Sequence, residues 1–362
     1  MTRMKSADLK YFYRDTCDAK KIVVVHLGFL GDTLHLLPSL VEIKRNYPRA
    51  ELHVLSAPLG CEVLKLAPFV DHAWAVETNR ARRSLRGQWA MIRALRREKF
   101  DLAINLSGSD RAIFLTALTG ARVRVGLAVG RHHFWNRWLI DDWVPKADST
   151  QTMFEQFRSM LAICGLDLQP ARFGLKLDDT AVTWAAQQVP SGSVHVSVNS
   201  ANPLKEWPIE HYIALLRKLW LQQPDLPIVA SSGYSERERT RLRAFTAGLN
   251  DSRLLVLVED LSIAQLAGVL TRCRMHIGPD SGTMHLAVAL GIPVVAYFRE
   301  QGAYQPWLPR GDMNRVLSVR CTCVDHHSCP CQKTGRAACL AGIIPENLAA
   351  VILEQLGRPS PS

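Results

Sequence analysis

The chain has 362 residues, 48% hydrophobic and 21% charged, a globular composition that excludes a disordered, collagen-like or coiled-coil protein and suits two domains better than one. Its net charge of +11 is unevenly placed, with +9 counted over residues 1–178 and +2 over residues 179–362. The basic first half suggests an anionic partner there, such as nucleic acid, a phospholipid surface or a phosphorylated substrate; charge alone does not choose among them.

No run approaches the roughly 18 apolar residues that span a bilayer, and the first twenty residues, with Arg3, Lys5, Asp8, Lys10, Arg14, Asp15 and Asp18, hold no signal-peptide core, so a cytoplasmic protein is expected. Along the chain, IVVVHLG (22–28) is a β-branched apolar run ending in glycine. A polar turn and the periodic stretch 33–47 follow it, which predicts strand, loop and helix. The plan recurs: LHVLS (52–56) before a helix near 58–66, HAWAV (72–76) before the arginine-rich helix 84–98, DLAINLS (101–107) before helix 110–119, then strand 123–127. The second half repeats it with strands 194–199, 227–232, 254–258, 275–279 and 293–298, and with helices 208–222, 235–248, 262–271 and 282–290. Alternating strands and helices predict an α/β fold with two doubly wound parallel sheets. The expected division is an N-terminal domain (1–178), a second domain with a cysteine-rich loop at 321–339 (179–344), and a C-terminal helix and tail (345–362).

Ligands of such sheets lie outside the carboxyl ends of the strands, so the strand-to-helix loops hold the candidate residues, and two such domains would place the reacting groups in a cleft between them. Gly28-Phe29-Leu30-Gly31-Asp32 lacks the dinucleotide pattern G-x-G-x-x-G. Asp32 reads either as a helix N-cap or as a general base held at the end of the strand. Asp280-Ser281-Gly282-Thr283-Met284-His285 is a short polar turn opening a helix, the geometry that offers amide hydrogens and a positive dipole to a phosphate; a plain cap with a packed His285 explains it as well. Lys205, before a proline-initiated helix, could meet the same phosphate as a point charge, and Glu236 could accept from ribose hydroxyls or merely favour a helix start.

Arg80, Arg83 and Arg86, joined further on by Arg131 and Arg137, form a basic set that suits an anionic lipid surface or a phosphorylated saccharide. No nucleic-acid module is recognisable, so nucleic acid is not expected. Cys321, Cys323, Cys329, Cys331 and Cys339 supply soft ligands enough for a structural zinc or iron, although C-x-C is not the usual ribbon spacing; a local disulfide and free buried thiols stand beside that reading.

Taken together, HLGFLGDTLHLLPSL (26–40), FDLAINLSGSDRAIFLTALTGARVRVGL (100–127), SANPLKEWP (200–208), GPDSGTMHLAVALGIPVVAYF (278–298) and CLAGIIPENLAAVI (339–352) resemble the family-nine glycosyltransferases, the bacterial lipopolysaccharide heptosyltransferases. The resemblance implies the GT-B fold, two Rossmann-like domains that bind acceptor and nucleotide sugar respectively. It implies inverting, metal-independent transfer of heptose from ADP-heptose to the lipopolysaccharide inner core, peripheral to the cytoplasmic face of the inner membrane. It also implies Asp32 as the base in a loop framed by Gly28 and Gly31, with Ser200, Lys205, Asp280, Ser281, Gly282, Thr283 and His285 around the diphosphate and Glu236 at the ribose. No cofactor is then required for catalysis. Asn202, Pro203 and Leu204 depart from the polar residues some members carry before the lysine, which bears on the donor sugar and the acceptor; one rival is accordingly another nucleotide sugar or a protein acceptor, and a second, organised by the cysteine loop, is a non-catalytic nucleotide- or metal-binding module.

Overall fold

The computed structural model describes residues 9–77, 84–128, 136–145, 148–231, 233, 235–258, 260–300, 304–321, 323 and 330–358. The chain divides into two compact units, residues 1–176 and 177–362. In the first, α1 (Phe12–Thr16) leads into β1 (Lys21–Val25), α2 (Leu30–Asn46), β2 (Glu51–Ser56), α3 (Pro58–Leu64), β3 (His72–Ala75), α4 (Leu85–Glu98), β4 (Leu102–Asn105), α5 (Asp110–Leu118), β5 (Val123–Ala128), α6 (Asn136–Leu139), β6 (Asp142–Pro145) and α7 (Met153–Ile163). The second runs α8 (Asp179–Gln188), β7 (Ser193–Val196), α9 (Ile209–Gln222), β8 (Ile228–Ser231), α10 (Glu236–Leu249), β9 (Leu254–Leu257), α11 (Ile263–Arg272), β10 (Cys273–Pro279), α12 (Gly282–Ala289), β11 (Val294–Glu300), β12 (Arg315–Arg320), α13 (Pro330–Thr334) and α14 (Pro345–Leu356).

Each unit holds a six-stranded sheet, ordered β3-β2-β1-β4-β5-β6 and β12-β11-β10-β7-β8-β9, with every strand pair parallel. Counted from its own first strand, each sheet follows the order 3-2-1-4-5-6 of a dinucleotide-binding fold, so the strand order reverses between β1 and β4 and again between β7 and β10. The central strands are apolar on both faces because helices cover both: Ile22, Val23, Val24 and Val25 are fully buried. Helices α2 and α7 pack on each other in the first unit, as do α8 and α11, and α9 and α14, in the second. The sequence reading misses α1, α6, β6, α7, α8, β12 and α13. The four short ones, α1, α6, β6 and α13, carry four or five residues, too few for a period to show.

Two histidines sit at the centre of the second sheet. His195 on β7 is the register partner of His276 on β10, both are fully shielded from solvent, and their Nδ1 atoms lie 2.9 Å apart. His195 Nε2 lies 3.0 Å from the Ser231 hydroxyl on β8, while His276 Nε2 has no partner among the described residues. A single proton between the two Nδ1 atoms requires at least one of the rings to be neutral. Burial pushes His195 down to about 4, and burial with the neighbouring ring holds His276 well below the ordinary histidine range. The unfolded chain therefore binds protons that the folded one refuses. Stability is unaffected by these rings above pH about 6.5 and falls as pH drops from there toward 4, by about 3 kcal/mol for His195. Chemical denaturation from pH 7.5 to 4.5 is expected to show this loss, with a shallower slope in His276→Asn, which keeps a polar group but removes a titrating ring.

Candidate functional site

At the reversal point of the second sheet, the loops after β7 and β10 meet. Ser281, not Asp280, caps α12, its hydroxyl accepting from the Met284 N–H at 3.4 Å. Asp280 is thereby left to hold side chains: Lys205 Nζ lies 2.6 Å from its Oδ2 and His285 Nε2 lies 3.5 Å from its Oδ1. Burial pushes the Asp280 carboxyl up, but the His285 hydrogen bond and the Lys205 charge outweigh it and hold the group below its ordinary range. The Ser200 hydroxyl donates to the Asp280 carbonyl oxygen at 3.1 Å. Ser200, Lys205, Asp280, Ser281, Gly282, Thr283 and His285 are thus gathered around one helix start, whose first amide hydrogens have no partner within the helix. The combination of free N–H groups, a helix dipole and a lysine is an anion site.

The loop carrying Lys205 is a 3-10 turn, Pro203–Lys205, whose Asn202 side chain accepts from the Leu204 N–H at 3.0 Å. Beneath it lies a scaffold that the sequence reading does not find. Glu206, largely buried, accepts from the Ser200 N–H at 3.0 Å. It also pairs with Arg237 Nη1 at 2.7 Å and Arg241 Nε at 3.5 Å. Arg237 donates further to the Ser200 carbonyl at 2.5 Å, and Arg241 to the carbonyls of Val198 and Trp207. The charges at 237 and 241 recur four apart on α10, yet nothing in their spacing points to a glutamate thirty residues earlier. Glu236 stands apart from this cluster: it opens α10, 67% of its side chain is exposed, and it pairs with Arg239 and Arg243.

In the first unit, α2 starts at Leu30, three residues earlier than its periodicity predicts. Asp32 is consequently not the N-cap but the third helical residue, and its Oδ2 accepts the Phe29 N–H at 2.7 Å. Oδ1 has no hydrogen-bond partner among the described residues. Gly28 makes this fold-back feasible: a Cβ there would lie 2.3 Å from Asp32 Cβ and 2.7 Å from His26 Cε1. His26 is 4% exposed; burial lowers its pKa although the Asp32 charge pulls the other way. Gly31 lies in the first turn of α2. After β4, Asn105 Oδ1 accepts from the N–H groups of Ser107 and Gly108 at 2.9 and 3.3 Å, with Gly108 at φ 64°. Asn105 too goes unremarked in the sequence, because a polar residue ending an apolar strand resembles any turn.

Of the basic set, Arg80, Arg83 and Arg131 lie outside the described residues, and of Arg137 only the backbone, on α6, is described. Arg86 is exposed on α4, where it lines one face with Trp89, Arg93 and Arg97. Trp89 is 60% exposed. Cys321, Cys323 and Cys331 offer sulfurs within 4.8 Å of one another, and Cys339 Sγ is 4.0 Å from Cys331 Sγ; Cys329 lies outside the described residues. No disulfide joins these four to one another. Burial pushes Cys331 up, but bonds from the Cys339 backbone and the surrounding thiols draw it down to about 7. No helix among the described residues is long and apolar enough to cross a membrane.

Comparison with known proteins gives the family and the fold. The family model for glycosyltransferase family 9 (heptosyltransferase) matches residues 88–334, more than half of the chain. Lipopolysaccharide heptosyltransferase 3 of Escherichia coli is 22% identical over 78% of this chain and 84% of its own length. The crystal structure of a family 9 glycosyl transferase from Veillonella parvula superposes with a TM-score of 0.78 at 20% identity, over 93% of this chain and 97% of that one. E. coli heptosyltransferase WaaC, solved with ADP-2-deoxy-2-fluoro heptose, gives a TM-score of 0.71 at 19% identity, over 92% and 99%. The shared fold is the paired Rossmann-like plan of GT-B proteins.

Two substitutions test the local construction. Gly28→Ala places a methyl against the Asp32 side chain and is expected to destabilise the first unit by about 2 kcal/mol. Glu206→Ala strands Arg237, Arg241 and the Ser200 N–H, and with Arg237 partly exposed the loss expected in denaturant unfolding is again about 2 kcal/mol. An unchanged unfolding midpoint in either variant would contradict the packing described.

Proposed function

The chain belongs to glycosyltransferase family 9 and is a glycosyltransferase; we propose that it transfers a heptose from ADP-heptose to the inner core of lipopolysaccharide. The observation that carries this reading is the convergence of Ser200, Lys205, Asp280 and His285 on the start of α12. A nucleoside diphosphate leaving a sugar needs its growing negative charge met by donors already in place. Lys205 and the amide hydrogens at residues 282 and 283 supply them. Asp280, a carboxylate, is a poor neighbour for phosphate; its part is to hold Lys205 and His285. Glu236 would contact the ribose only by sharing oxygens already engaged by Arg239 and Arg243. The ADP-heptose analogue bound by WaaC and the lipopolysaccharide named for the E. coli relative support the donor and acceptor chosen.

In this reading the acceptor hydroxyl gives its proton to Asp32 as its oxygen attacks the anomeric carbon. The carbon–oxygen bond to the diphosphate breaks, ADP departs and the configuration inverts. Asp32 suits the task because one oxygen is anchored by the Phe29 N–H while the other remains available. The first unit would bind acceptor and the second the nucleotide sugar. Transfer would need no cofactor, and the cysteine cluster would hold a structural zinc or iron. The exposed face of Arg86, Trp89, Arg93 and Arg97 supports contact with acceptor phosphates or an anionic membrane surface, as expected for a peripheral enzyme at the cytoplasmic side of the inner membrane.

Incubation with ADP-heptose and truncated lipopolysaccharide acceptors, followed by mass analysis, is expected to show addition of one heptose. Tight binding of a UDP-sugar with none of ADP-heptose would overturn the donor assignment. Asp32→Ala is expected to keep ADP affinity and lose about 10²- to 10⁴-fold in turnover; near wild-type turnover would remove Asp32 from the chemistry.

A further inference from the structure

We propose that Cys321, Cys323, Cys331 and Cys339 together bind one zinc or iron ion, and that the bound ion braces the turn that presents Lys205. The bracing role rests on the donor-site reading above, whereas the metal assignment stands without it. Four thiols from three short stretches of chain converge. Cys321 Sγ lies 4.0 Å from Cys331 Sγ, and Cys331 Sγ lies 4.0 Å from Cys339 Sγ. Cys323 sits within 4.8 Å of both Cys321 and Cys331. A disulfide needs about 2 Å between sulfurs. A tetrahedral ion with arms of about 2.3 Å needs edges near 3.8 Å; two edges here are 4.0 Å, Cys321, Cys323 and Cys331 lie within 4.8 Å of one another, and Cys339 joins them through Cys331.

The surroundings suit thiolates. A divalent ion with four thiolates carries two net negative charges, and the largely buried Arg299 places its Nη1 3.9 Å from Cys321 Sγ. α13 has five residues and the following 3-10 helix, Ala338–Gly342, has five, too few to hold themselves by backbone bonding. The C-x-C spacing departs from zinc ribbons because the ligands are gathered by β12, α13 and the 3-10 helix rather than by two knuckles.

Leu204 connects this cluster to the donor site. It packs directly on Cys321 and Cys331, within the turn Pro203–Lys205, and its neighbour Lys205 reaches Asp280. A rigid cluster under Leu204 fixes the height of that turn, and with it the position of the lysine ammonium. The four cysteines are therefore positioning residues for donor binding, acting through Leu204 and Lys205.

The test uses the full chain purified without added metal. Elemental analysis is expected to give one zinc or iron per chain, lost in Cys331→Ser. Titration calorimetry is expected to show ADP binding weakened about tenfold or more in Cys331→Ser, with a much smaller effect of that substitution when Lys205→Ala is already present. Should Cys331→Ser fail to fold, the wild-type protein is stripped with a chelator and compared with protein reloaded with cobalt, whose thiolate charge-transfer bands count the sulfur ligands. Absence of metal with no cobalt uptake, or a disulfide among these cysteines, overturns the site. Metal loss that leaves ADP affinity unchanged overturns the brace. Metal-loaded wild-type protein that binds no ADP instead overturns the donor-site reading and the bracing role with it, while the metal assignment is retained.

Discussion

Asp280 is the point on which the second unit's site turns. A carboxylate largely withdrawn from water at the end of a central strand must be paired, and here it is paired with the two groups that a phosphate would need nearby. Its hold on Lys205 brings in the loop after β7; its hold on His285 fixes the first turn of α12. Since Ser281 serves as the cap, Asp280 is free for this work. Removing the carboxylate would leave a lysine without its partner beside an uncompensated helix dipole.

Both units apply one topological rule to opposite charges. Reversal of strand order leaves a crevice at the carboxyl ends of β1 and β4 and another at those of β7 and β10. In the first, the crevice is lined by an acid with an available oxygen, close to a buried histidine kept neutral by desolvation. In the second, it is lined by a lysine and amide hydrogens. In the proposed reaction the first would serve as proton acceptor and the second as anion cradle, the two requirements for displacing a diphosphate from a sugar.

The second site is held from below at two levels. Glu206 with Arg237 and Arg241 ties the loop after β7 to α10 through charge-assisted bonds, several of them to backbone carbonyls. The thiol cluster under Leu204 supports the same loop from the side of β12 and α13. The first reaches the site through the Ser200 backbone and the second through Leu204, next to Lys205. A turn of three residues has too few internal bonds to hold a lysine in place by itself, so the position of Lys205 depends on such support.

Local pattern sufficed for the fold class and for the residues that sit at strand ends. Runs such as 22–25 and 293–298 are apolar because parallel strands are covered on both faces, and the glycine-aspartate and D-S-G-T-x-H loops follow directly from them. Those features depend on neighbours within a few residues, so a linear reading reaches them. Asp32 as third helical residue rather than cap, Ser281 rather than Asp280 as cap, and Glu206 between two arginines were decided only by the tertiary structure. Asp32 and Ser281 bond amides only three residues away, so where each helix starts decides their roles; Glu206 turns on which groups approach across tens of residues, where the cost of an unpaired buried charge, not local propensity, selects the partner. The same holds for the cysteines. Their number is plain in the chain, but which of them meet is set by how β12, α13 and the segment after it fold together.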